Sequence, residues 1–339
     1  MANEVGKKVT LKDVASAAGL SLITVSRALR EPDTVHPATR DKIQKTIDEI
    51  GYIPNLAARS LVSQRSDMIG VVVPILASSL FADFAEGVSK TLEPNGQRML
   101  LAVSNWSPEL EEEAVRTFIA RQADAIILTG FSHTDATRRL LDRFPGPVVE
   151  AWNVRDNVID SAVGFNNHAA AAEMTRYLIE KGYQEIVMVG GASLNNDQAA
   201  DRTRGFIDAM TQAGREIRPD TIVEFNNPAT IEAGGPILRE LMARDRKPDA
   251  VFFLAELPAH GAMLWCMSHG VSVPDDVAIA GFGDLSLSAL LPVPLTTVRI
   301  RGREIGEQAA TQLIDRLNGA APRQQIKDVG YRLQIRGST

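Results

Sequence analysis

Ser21, Leu22, Ile23 and Thr24 open a short helical segment, and their side chains are left free while Val25, Ala28 and Leu29 turn inward. Arg27 and Arg30 follow on the same segment, within reach of bases or phosphates. That pattern suits reading the edge of a DNA groove, although periodicity alone leaves a plain helical hairpin equally open. A second set of candidates lies at the carboxyl ends of strand-like runs: Ser79 and Phe81, then Glu150, Trp152 and Asn153, then Glu256, and finally Phe282 with Asp284. Aromatic faces beside carboxylate and amide groups at strand ends suit a small polar ligand.

Positioning these residues requires particular elements. Thr10 and Asp13 are spaced as a capping box for a helix from Leu11 to Ala17, and Gly19 supplies the turn that ends it. Ser21 caps a second helix to about Leu29, and a third runs from Pro37 to Ile50 before Gly51. Two short helices joined by Ala18-Gly19-Leu20 form a helix-turn-helix, with Ala15 small where they cross. After Ser66 the texture changes. Apolar runs at 69–73, 99–103, 125–128, 148–149, 186–189, 250–253 and 277–280 alternate with amphipathic stretches, as in a parallel sheet covered on both faces. That alternation is long enough for two α/β lobes. The expected division is a headpiece over 1–54, a linker over 55–65 and a ligand-binding and dimerisation body over 66–339. Within the body the expected N-lobe is about 66–165 with 295–320, and the C-lobe is 166–294 with 321–339.

Composition narrows the function classes. Residues 1–65 hold 10 Lys and Arg against 7 Asp and Glu, and the remainder 26 against 35, a small basic head on an acidic body. The one cysteine, Cys266, excludes an internal disulfide framework and fits a reducing compartment. No run of about 18 apolar residues is present, and no apolar segment follows the basic start, so the cytoplasm is expected and a secreted sugar-binding protein is not. The rival class is an α/β enzyme of sugar-acid metabolism. Against it, no phosphate loop with Lys-Ser/Thr, no GxGxxG and no metal-ligand spacing occur among the five histidines and single cysteine. Gly281-Phe282-Gly283 is a lone GxG. The chain is therefore expected to be no enzyme and to need no cofactor or metal.

The run VTLKDVASAAGLSLITVSRAL, followed by HPATRDKIQKTIDEIGYIPNLAARSL, resembles the DNA-binding headpiece of the lactose-repressor (LacI/GalR) family over residues 9–65. The resemblance implies operator DNA as a partner. It places Leu22 and Ile23 at the operator-discriminating pair; two apolar side chains cannot bond base edges but can meet thymine methyl groups. It further assigns Thr24, Ser26 and Arg27 to phosphate and base contacts, and Leu11 to the DNA backbone. Asn55–Ser63 resembles the family's hinge helix, with Ala57 and Ala58 small enough for a minor groove and Leu61 matching the leucine that wedges between base steps.

The body resembles the same family's periplasmic-binding-protein-like domain, two lobes with three crossovers, most clearly at Ile69–Pro74, Arg202–Phe206, VSVPDDVAIAGFGD and PLTTVR. By that resemblance Arg202 contacts ligand, where a guanidinium suits a carboxylate or several hydroxyls, and Ala255-Glu256 replaces the Asn-Asp of many relatives. PVVEAWN, SAVGFNN and IILTGFSHT look most like the gluconate-type repressors, which makes gluconate or a related sugar acid the expected effector. The expected assembly is a homodimer, or a dimer of such dimers, on a pseudo-palindromic operator.

Overall fold

The computed structural model describes residues 9–53, 65–190, 195–224, 229–319 and 325–339. It divides into two compact units, Met1–Ser66 and Asp67–Thr339. In the first, α1 (Leu11–Ala18), α2 (Leu22–Arg30) and α3 (Pro37–Ile50) enclose a small core of Val14, Ala15, Val25, Ala28, Ile43 and Ile47. The capping box forms, the Asp13 carboxylate accepting from the Thr10 amide at 2.8 Å. Gly19 takes φ +62°, so the turn needs a residue without a Cβ. Of the anticipated hinge and linker, 55–65, residues 55–64 lie outside the described residues.

The second unit holds two six-stranded sheets among its described residues. The first has the order β11-β5-β4-β3-β1-β2, built from β1 (Met68–Val73), β2 (Arg98–Val103), β3 (Ala125–Thr129), β4 (Val148–Ala151), β5 (Ser161–Gly164) and β11 (Ile326–Asp328). The second has the order β12-β10-β9-β8-β6-β7, from β6 (Ile186–Val189), β7 (Ile222–Val223), β8 (Ala250–Phe253), β9 (Ala278–Gly283), β10 (Thr296–Arg299) and β12 (Arg332–Gln334). All neighbours are parallel except β10 and β12. Their buried Val, Ile, Phe and Ala runs are what a sheet covered on both faces requires, each large side chain contributing roughly 1.5–3 kcal/mol.

The expected lobe boundaries need correction. Thr296–Arg299 pairs with β9, not with the first sheet, and Ile326–Asp328 pairs with β5, not with the second. The chain therefore crosses between lobes after β5, after β10 and between β11 and β12. The middle crossing delivers α11 (Gly302–Leu317) onto α4 (Ser79–Leu92) of the first lobe. These helices touch backbone to backbone: a Cβ on Gly87 would lie 2.3 Å from the Arg303 carbonyl oxygen, and one on Gly306 2.2 Å from that of Phe84.

Candidate functional site

In the headpiece, the Ser21 hydroxyl accepts from the Thr24 amide at 3.1 Å and shares a 2.8 Å hydrogen bond with the Thr24 hydroxyl, fixing the first turn of α2. That turn carries Leu22 and Ile23, 41% and 69% exposed, while Val25 behind them is fully buried. Exposed apolar groups on a helix N-terminus anchored by a buried Val25 form a surface that can meet thymine methyls. Arg27 is exposed and Ser26 half-buried, Arg30 ends the helix, and Leu11 packs half-buried on the core. Asn55, Ala57, Ala58 and Leu61 fall in the undescribed segment.

In the body, an aromatic cluster gathers on the first lobe. Phe81 on α4 packs against Trp152 at 4.6 Å between ring centroids and edge-on to Trp106 at 6.0 Å; Phe84 lies 5.5 Å from Trp152. Trp152 has φ +78°, costly for a bulky residue. It is held there by its amide on the Val163 carbonyl (2.9 Å) and by Asn167 Nδ2 on its own carbonyl (2.9 Å). Its Nε1 is buried with no hydrogen-bond partner among the described residues. Ser79 is exposed at the start of the same helix as Phe81.

Arg202 lies on α8 (Asp197–Gln212) of the second lobe. Its Nε donates to Asn167 Oδ1 at 2.8 Å and its Nη1 to the Leu254 carbonyl at 2.9 Å, while the guanidinium lies 3.9 Å over the Phe282 ring. No bond of Nη2 is found among the described residues. Burial lowers the guanidinium to about 9 against the pull of Asp197, so it remains a cation at neutral pH. Gln198, one turn earlier on the same helix face, is buried with an unpartnered Nε2. The buried atoms left without a partner here, Trp152 Nε1 and Gln198 Nε2, are donors, and Arg202 Nη2 is a third donor beside them. They fit a ligand rich in acceptors, a carboxylate above all.

Three further expected carboxylates are each engaged by protein donors within their own lobe. Glu150 is buried, accepting from the Ile159 amide at 2.6 Å and from His133 Nε2 at 3.2 Å. Glu256, at the start of α10 (Glu256–His269), accepts from Ser288 and, at 2.6 Å, from Thr297 Oγ1; burial pushes its carboxyl up to about 7. Asp284 is held by Arg299 and, at 2.6 Å, by Arg336. The physical reason is common to all three: a carboxylate at a strand end is buried only where donors meet it, and here those donors are protein groups.

Asn153 is engaged differently. Its Nδ2 donates to Asp197 Oδ2 at 2.7 Å and Asp201 Oδ2 at 2.6 Å, so a loop of the first lobe is joined to a helix of the second. Arg155 reaches Asp201 at 3.0 Å, and the Phe131 amide donates to Asp197 Oδ1 at 3.0 Å. Sequence reasoning missed this cross-lobe cluster; its one signal was a pair of aspartates four apart at a helix start, which usually only complements the helix dipole. The His133 ring is fully buried between two carboxylates. No cluster of His, Cys, Asp or Glu able to hold a metal occurs among the described residues, and no described helix is long and apolar enough to cross a membrane.

Comparison with known proteins agrees with both units. Residues 10–55 match the bacterial regulatory proteins of the lacI family, and residues 175–339 match a periplasmic binding protein-like domain. The HTH-type transcriptional regulator GntR of Escherichia coli strain K12 is 32% identical over 332 residues, 98% of this chain and 99% of the relative. That of Pseudomonas aeruginosa is 33% identical over 330 residues, 97% of this chain and 95% of the relative. A crystal structure of a LacI-family transcriptional regulator from Silicibacter pomeroyi superposes with a TM-score of 0.91 at 28% identity, covering 97% of this chain and 99% of that one. With a helix-turn-helix head, a two-lobed body and relatives of this kind along its whole length, the chain belongs to the lacI family of bacterial regulatory proteins and is a DNA-binding transcriptional regulator.

Proposed function

We propose that the protein represses genes of sugar-acid catabolism as a homodimer, and that gluconate or a close sugar acid in the cleft controls its hold on operator DNA. The observation that carries this reading is the buried guanidinium of Arg202 with the unpartnered Nε2 of Gln198 beside it, in a body whose first lobe carries the Phe81–Trp106–Trp152 cluster. A carboxylate would take the guanidinium, and a hydroxylated chain would lie along the aromatic faces. Ser79, Phe81, Trp152, Asn153, Arg202 and Phe282 form the proposed effector site. The likeness of PVVEAWN and IILTGFSHT to gluconate-type repressors narrows the acid. Leu101 and Val103 on β2, with Leu264 and Met267 on α10, are exposed apolar residues on which a second copy would pack. Ligand then acts through unequal affinity for two arrangements of the lobes.

A thermal-shift comparison of D-gluconate with D-sorbitol tests the ligand, because the two differ only in the carboxylate. Gluconate at 100 times its Kd adds about 2.7 kcal/mol, on the order of 5 °C for a domain of this size. Sorbitol adds little. Equal shifts, or none, reject the sugar-acid reading. For the hinge, Leu61→Ala is expected to weaken operator binding on the order of 10- to 100-fold, the scale of about 1–3 kcal/mol carried by one specific step, with little effect on random DNA. Fluorescence anisotropy on both duplexes reads the difference, and equal losses remove the wedge.

A further inference from the structure

We propose that His133 is a positioning residue for the cleft: held between Glu111 and Glu150, its imidazolium braces the two first-lobe loops, 130–134 and 152–159, that meet Asp197 and Asp201 of the second lobe. The geometry carries the charge state. His133 Nδ1 lies 2.6 Å from Glu111 Oε1, on α5 (Pro108–Ala120), and Nε2 lies 3.2 Å from Glu150 Oε1, on β4. Both ring nitrogens face carboxylate oxygens, so both must donate, and a ring donating twice is a cation. All three side chains are at most 6% exposed. Burial would strip the proton, yet the two carboxylates outweigh it and hold the imidazole up to about 9.

What the brace holds is the lining of the cleft. Loop 130–134 carries Phe131, whose amide donates to Asp197; the Phe131 carbonyl is gripped by Arg138 at 2.8 Å from α6 (Asp135–Asp142). Glu150 uses its second oxygen to accept from the Ile159 amide, closing the loop that presents Trp152, Asn153 and Arg155. One ring therefore ties the position of one cross-lobe donor to that of two others. The other charged groups nearby are Glu112 and Arg116 on α5 and Arg138 and Arg139 on α6. Glu112 is engaged by Arg116 at 2.7 Å and by Thr134 at 2.8 Å, which leaves Glu111 and Glu150 as the carboxylates that meet the ring.

The sign follows. The folded protein holds this proton more tightly than the ordinary value of 6.5, so the stability that the brace contributes is full below about pH 6.5 and fades as pH rises from there through about 9, where the folded ring itself gives up the proton. The experiment uses the full chain and His133→Gln. Melting temperature across pH 6 to 9.5 should fall for the wild type relative to the variant in that window. At pH 7, amide exchange in the variant should rise about tenfold in peptides spanning 130–134 and 152–159 and stay unchanged over β9. Should the variant not fold, Glu111→Gln serves: it removes one carboxylate, and the alkaline limb should move to lower pH. A flat difference profile, or faster exchange spread evenly through the body, overturns the brace. Gluconate affinity, which rests on the proposed ligand, should drop in the variant. If wild type shows the exchange contrast but binds no gluconate, the brace stands and the ligand reading falls.

Discussion

Arg202→Ala is expected to lower gluconate affinity by about 100-fold or more while leaving operator binding by the ligand-free protein nearly unchanged. Removing one partner of a desolvated charged pair costs about 2–5 kcal/mol, and each 1.4 kcal/mol is tenfold. The arginine is also structural, since Asn167 Oδ1 and the Leu254 carbonyl accept from it, and the alanine variant strips both of a donor. Two further variants separate these roles. Arg202→Lys retains a cation over Phe282 without the planar fork and should recover part of the affinity. Arg202→Met keeps volume without charge and should behave like alanine. Isothermal titration reads the ligand term, and operator anisotropy reads the DNA term. Gluconate affinity within about threefold of wild type in the alanine variant would place the carboxylate elsewhere; a threefold change is under 1 kcal/mol.

Arg202 could be singled out in the sequence because its run, Arg202–Phe206, resembles the family's; its contact with ligand is the proposal under test. The headpiece was legible for a related reason: capping at Thr10, the turn at Gly19 and the inward set of Val14, Ala15 and Val25 all agree with one another. What sequence could not supply was direction. Glu150 lies on a four-residue strand whose neighbours Val149 and Ala151 enter the main core, so its own side chain is committed to the opposite, helix-covered face. A strand-end carboxylate reads the same whichever way it points. The strands 161–164, 326–328 and 332–334 are too short to show a period, and which sheet each joins depends on where the chain crosses. Cross-lobe partners such as Asn153 and Asp197, 44 residues apart, carry no local signal at all.

Ile23→Gln tests the headpiece and carries the second large effect. Ile23 is 69% exposed, so the change should leave the headpiece folded, within about 0.5 kcal/mol of wild type; Val25→Gln, at a fully buried position, should unfold it. On DNA the consequences are larger. An isoleucine can favour a thymine methyl, whereas a glutamine can bond N6 and N7 of adenine, and each such contact is worth about 1–3 kcal/mol of discrimination. In the proposed dimer the substitution acts at both half-sites, so preference between the parent operator and its doubly altered form should shift by about 2–6 kcal/mol, roughly 30-fold to 20,000-fold. Selection from a random duplex pool reads the outcome directly. The new motif should differ at symmetric positions only, because Leu22 and the phosphate contacts are untouched. Identical motifs from the two proteins would mean that α2 does not present Ile23 to bases, and the thymine-methyl readout would have to be abandoned.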